Sequence, residues 1–85
     1  MAIDVLYFAW VRESIGTGAE RVEVPDTVTS VAGLIDWLAV RSEGHATAFV
    51  DRDRLRAAVD QVFVSLDTPI AGAREVAIFP PVTGG

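Results

Sequence analysis

The chain predicts an α+β fold, a small mixed sheet with one main helix laid across one face. Three observations lead there. Five short segments have strand composition, one segment between the second and third carries apolar residues at helical spacing, and all of them fit into 85 residues. A chain of that length buries only about 60–65% of its unfolded surface, which allows one modest core and no second domain. The hydrophobic share of 51% excludes a disordered chain. Residues 1–85 are therefore expected to form a single domain, with 80–85 as a protruding tail.

The first element is Ile3-Asp4-Val5-Leu6-Tyr7-Phe8-Ala9, rich in β-branched and aromatic residues and apolar on both alternating sides beyond Asp4, as a central strand requires. Trp10 to Ile15 reads as a short helical turn, which Gly16-Thr17-Gly18 breaks. Arg21-Val22-Glu23-Val24 alternates strictly and predicts a half-exposed strand, antiparallel to the first and closed by Pro25-Asp26. The main helix follows. Thr29 or Ser30 is its N-cap, Val31, Leu34, Ile35 and Leu38 form one apolar face, Trp37 flanks that stripe in a half-buried packing role, and Gly44 is the expected stop. From His45 to Arg56 the pattern is mixed. Asp51-Arg52-Asp53-Arg54 alternates in sign, reads as a solvated turn, and receives no function. Ala57-Val59 and Val62-Leu66 predict two strands joined by Asp60-Gln61 as a two-residue turn. Asp67-Thr68-Pro69 ends the pair, Ala71-Gly72-Ala73 turns the chain, and Glu75-Val76-Ala77-Ile78-Phe79 is the last strand.

Strand, strand, helix, strand, strand, strand is the β-grasp arrangement of ubiquitin. One helix layer covers one side of a sheet, yet the first and last strands are apolar on both. Leu6 and Phe8 oppose Val5 and Tyr7; Ala77 and Phe79 oppose Val76 and Ile78. Either loops fold over the second side or a partner protein covers it. The partner reading predicts an interface that includes Phe8, Phe63 and Phe79, beside Pro80 and Pro81. Which parity meets the helix is open at this level.

Composition removes several functions. Cys is absent, so disulfides, thiolate metal sites and a cysteine nucleophile are excluded, and any sulfur must come from outside. His45 is the sole histidine, which leaves little for a zinc site or a serine-type triad; no metal and no bound cofactor are expected. All seven basic residues are Arg and the net charge is −5, without a clustered basic face, so nucleic acid is not an expected partner. No apolar run approaches a membrane span, and the start Met-Ala-Ile-Asp lacks the basic flank of a secretion signal, so a cytoplasmic protein without membrane contact is expected.

The most informative segment is the end, Phe79-Pro80-Pro81-Val82-Thr83-Gly84-Gly85. Two glycines lack Cβ atoms, so the terminal carboxylate can enter a slot that admits bare backbone and little else. Pro80 and Pro81 fix φ and favour extended geometry before them, which makes the tail a stiff spur. From Val82 onward four residues reach roughly 13 Å at about 3.3 Å each, enough to enter a neighbour's pocket. Taken alone, a Gly-Gly end also suits a frayed terminus. After a strand and Pro-Pro, it suits a presented carboxyl group.

The opening Val5-Leu6-Tyr7-Phe8-Ala9 with Val11-Arg12-Glu13 and Gly16, the middle Ala58-Val59-Asp60-Gln61, and the whole ending from Glu75 to Gly85 resemble the MoaD family, the small subunits of molybdopterin synthase. The likeness spans the chain, and its ending is the specific part. Asp60 departs from the Asn the family often has there, and residues 41–56 match poorly. The resemblance implies a ubiquitin-like sulfur carrier. Gly85 is then adenylated by an ATP-dependent activating enzyme, converted to a thiocarboxylate with sulfur from a donor protein, and discharged to build the dithiolene of molybdopterin. Val82, Thr83 and Gly84 would insert into the large synthase subunit, which would supply the catalytic groups. A carboxylate becomes an electrophile only once its oxygen is made a leaving group, which acyl-phosphate activation with AMP departure achieves.

Other readings make different demands. A carrier serving thiamine thiazole formation, cysteine synthesis or tRNA thiolation would use the same tail with a different partner. A ubiquitin-like modifier would join Gly85 to lysines of other proteins. A β-grasp interaction module would tolerate loss of Gly85.

Overall fold

The computed structural model describes residues 1–81. Five strands form one mixed sheet: β1 (Ala2–Tyr7), β2 (Ala19–Glu23), β3 (Arg56–Val59), β4 (Val62–Val64) and β5 (Glu75–Phe79). Their order is β2-β1-β5-β3-β4. The first and last strands thus lie side by side in the centre, parallel, with Val5 opposite Val76 and Tyr7 opposite Ile78. All other pairs are antiparallel. Central position explains why β1 and β5 carry apolar residues on both sides.

Parity is now fixed. Ile3, Val5 and Tyr7 of β1 and Val76 and Ile78 of β5 are buried against the helical layer. The main helix α2 (Val31–Ala39) places Val31, Leu34, Ile35 and Leu38 on them, each fully buried, as the apolar spacing predicts. Ser30 is its N-cap, with Oγ accepting from the Gly33 N–H at 3.0 Å. The next free N–H groups are met by the loop before β5: Val31 donates to the Thr68 carbonyl at 3.0 Å and Ala32 to that of Leu66 at 2.8 Å.

Four expectations need correction. The first strand stops at Tyr7 rather than Ala9, because Phe8 becomes the N-cap of α1 (Ala9–Ile15). The fourth strand ends at Val64, short of Leu66. Gly44 does not stop α2, which ends at Ala39 with Val40 as C-cap; Gly44 lies inside a further helix, α3 (Glu43–Ala48). A Cβ on Gly44 would collide with the Ser14 carbonyl oxygen and crowd Ile15, so this glycine allows α3 to approach the end of α1. Finally, residues 43–48 are helical although no apolar periodicity marks them. Ser42 caps the helix with its Oγ on the His45 N–H at 3.1 Å, and a 3₁₀ turn over Arg52–Arg54 leads into β3.

The Asp60-Gln61 turn forms as expected, with φ of 48° and 72°. Asp60 Oδ1 also accepts from the backbone N–H groups of Arg74 (3.0 Å) and Glu75 (2.9 Å), which pins the β3–β4 turn to the start of β5.

Candidate docking face and base of the tail

The side of the sheet away from the helices is bare among the described residues. Leu6 of β1 stands opposite Ala77 of β5, Ala77 opposite Ala58 of β3, and Ala58 opposite Phe63 of β4. Small residues in the middle and large ones at both sides make a trough. Ala58 and Ala77 remain only 5% and 7% exposed, shaded by their aromatic neighbours. Phe63 is 77% exposed and Phe8 48%. The Phe63 and Phe79 rings tilt together at 5.5 Å between centroids, so the wall is preassembled. Leu6, Phe8, Ala9, Ala58, Phe63, Ala77, Phe79, Pro80 and Pro81 line a groove of about 740 Å³, with Gln61 and Glu75 as its polar members.

This arrangement gathers Phe8, Phe63, Phe79, Pro80 and Pro81 into one continuous surface. Gly85, Val82, Thr83 and Gly84 lie outside the described residues. The last described ones, Pro80 and Pro81, border the groove. Ala9, at the same rim, has a φ of 53°, a left-handed conformation that costs a non-glycine residue about 1–2 kcal/mol. It turns the chain sharply from β1 into α1 and leaves Phe8 on the open face.

Sequence reasoning passed over a second cluster. Glu20 Oε2 accepts from the Tyr7 hydroxyl at 2.7 Å and from His45 Nε2 at 2.6 Å, while Arg41 lies 3.6 Å from Oε1. His45 Nδ1 is 2.7 Å from Ser42 Oγ. Burial pushes the Glu20 carboxyl up, but its hydrogen bonds from His45 and Tyr7, with the charges of His45 and Arg41, outweigh burial and hold it below the ordinary carboxylate range. Burial, then the hydrogen bond and charge of Glu20, push the Tyr7 hydroxyl far up. The Tyr7, His45 and Phe49 rings pack together at 6.0–6.3 Å between centroids. No buried side-chain polar atom among the described residues lacks a partner, so the cluster ties α3 to β1 and β2 as a satisfied network. Tyr7, Glu20 and His45 sit 13 to 38 residues apart, and no local signal joins them.

Among the described residues no group of three His, Cys, Asp or Glu could hold a metal ion. None of their helices is long and apolar enough to cross a membrane.

Comparison with known proteins agrees with this geometry. The model of the ThiS family matches residues 5–85. The molybdopterin synthase sulfur carrier subunit of Escherichia coli K12 is 47% identical over 83 residues, covering 98% of this chain and 99% of that protein. The subunit of the same name from Haemophilus influenzae is 32% identical over the same coverage. Among solved structures, SAMP1 of Haloferax volcanii, also called small archaeal modifier protein 1, superposes with a TM-score of 0.72 at 26% identity, covering 100% of both chains. A match along almost the whole length, tail included, places this chain in the ThiS family, alongside the molybdopterin synthase sulfur carrier subunits.

Proposed function

We propose that this chain is the sulfur carrier subunit of a molybdopterin synthase, with the Gly85 carboxyl group as its working atom and the apolar sheet face as its dock on the large subunit. The observation that carries the reading is continuity: the bare groove walled by Phe8, Phe63 and Phe79 runs directly to Pro80 and Pro81, from which the Gly-Gly end departs. A partner that covers the groove reaches Pro80 and Pro81, where the described chain ends and the tail begins.

The chemistry divides between chains. The Gly85 carboxylate attacks the α-phosphorus of ATP on an activating enzyme and pyrophosphate leaves; hydrosulfide, released at the sulfide level by a donor protein, then displaces AMP to give the thiocarboxylate, which passes its sulfur to the pterin precursor in the large subunit. This chain contributes presentation. It has no Cys and no Lys to attack its own activated end. ATP is used by the activating enzyme, no cofactor resides in this chain, and the cytoplasm is its place of work.

Intact-mass measurement tests the reading. Incubation with the activating enzyme, ATP and a sulfide source is expected to exchange one oxygen for sulfur at Gly85. Deleting Gly85, or extending the chain past it without trimming, is expected to abolish the exchange; an extended variant that still sustains molybdopterin formation would refute the proposal. A second reading, a ubiquitin-like protein modifier, draws on the likeness to SAMP1. A Gly-Gly remnant on lysines of other proteins would establish it.

A further inference from the structure

We infer that Arg54 and Arg56 form a basic rim at the exit of the tail that engages carboxylate side chains on the protein receiving that tail. The inference deepens the proposed function by naming the chemistry its partner must present.

The argument begins with charge accounting. Among the described residues, Arg21 pairs with Asp4, Arg41 with Glu20 and Arg52 with Asp36. Arg12, Arg54, Arg56 and Arg74 have no carboxylate within salt-bridge distance there, in a chain whose net charge is −5, and of these four it is position that singles out Arg54 and Arg56. Both are exposed. An unpaired cation on an acidic protein is the position where a partner's anion gains most and meets least self-competition.

Position comes next. Arg56 stands opposite Phe79 in the β3–β5 ladder and joins Phe63 and Phe79 around a small recess. Arg54 lies over the ring of Trp10 at 5.5 Å, and Trp10 follows Phe8 and Ala9, which border the groove. Both guanidinium groups therefore belong to the end of the sheet from which residues 80 and 81 depart. They are also held in place. Arg54 rests on the Trp10 π-face, and Arg56 Nη1 donates to the carbonyls of Asp53 (3.0 Å) and Leu55 (2.8 Å). Side chains already ordered lose less freedom when a partner arrives.

A protein surface fits better than a small free anion. The neighbouring recess of about 480 Å³ is lined by Arg52 and Arg56 but also by Asp53, whose carboxylate opposes a free anion. The rim instead continues the apolar groove, as the polar edge of an interface continues its core.

The test compares two variants of equal net charge. Arg54→Gln with Arg56→Gln lowers the charge by two at the exit; Arg74→Glu lowers it by two beside Glu75, the residue that begins β5 at its other end. Affinity for the purified large synthase subunit is measured by calorimetry at low and high salt, with thermal melts confirming that each variant folds. The double variant is expected to weaken binding about tenfold to a hundredfold at low salt and to lose most of its salt dependence, while Arg74→Glu stays within about threefold of the parent. The Arg54→Lys, Arg56→Lys variant, which keeps both charges, is expected to recover most of the affinity. Equal effects from the double variant and Arg74→Glu would overturn the inference, since net charge alone would then suffice. Tighter binding by the double variant would also overturn it, because the rim would then hold an anion of its own chain. If the parent itself does not bind the large subunit, the proposed function fails, a result distinct from either.

Discussion

Truncating Phe63 to Ala separates folding from docking on one side chain. Phe63 is 77% exposed, so only about a quarter of its surface is covered within the chain. With about 200 Å² for a fully buried aromatic and about 25 cal/mol per Å², the lost burial is worth about 1 kcal/mol of stability. The exposed remainder, about 150 Å², would contribute about 4 kcal/mol if a partner covered it, and side-chain ordering reduces that to about 2–4 kcal/mol. The expected result is therefore a fall of about 4–8 °C in melting temperature with a rise of about 30- to 1,000-fold in Kd for the large subunit. Urea or thermal unfolding gives the first number and calorimetry the second. A Kd within threefold of the parent, with folding changed as expected, would refute the assignment of the groove as the dock.

Four further outcomes follow from the geometry. Because the Glu20 carboxyl is held below its ordinary value of 4.5, the unfolded chain takes up the proton first; its contribution is complete above that value and is lost as pH falls through the lower folded value, and Glu20→Gln should flatten that acid limb in chemical unfolding. Tyr7 has the opposite sign: its hydroxyl is pushed above the ordinary 10.0, so stability falls as pH rises past 10, and Tyr7→Phe should remove that alkaline limb. Gly44→Ala should cost about 1–3 kcal/mol by driving a Cβ into the Ser14 carbonyl, a loss visible in thermal melts and absent for the exposed neighbour Ala46→Gly beyond about 1 kcal/mol. Ala9→Gly should relieve the left-handed strain and raise stability by up to about 1 kcal/mol, read as a higher melting temperature.

Local rules account for what was legible in the sequence. The helix α2 follows from four apolar residues at the right spacing and from Ser30, and all five behave as expected. The Asp60-Gln61 turn and the last strand were equally plain, because a two-residue turn and an apolar run before Pro-Pro are local events. The two-sided apolar character of β1 and β5 likewise pointed to a second face needing a cover, and Phe8, Phe63 and Phe79 were named on it.

The boundaries and the polar cluster escaped for a shared reason. Gly44 looks like a stop by composition, but the close approach of α3 to Ser14, thirty positions earlier, decides its role. His45 looks isolated because Tyr7 and Glu20 reach it only after β1, β2 and α3 have packed. The sequence alone determined the five strands, the main helix and the apolar surplus of the sheet. Tertiary structure decided which parity of the sheet is bare, where the tail departs, and which arginines stand beside that exit. The division is physical: period and turn residues act over a few positions, whereas a sheet face and its neighbours exist only once distant strands have paired.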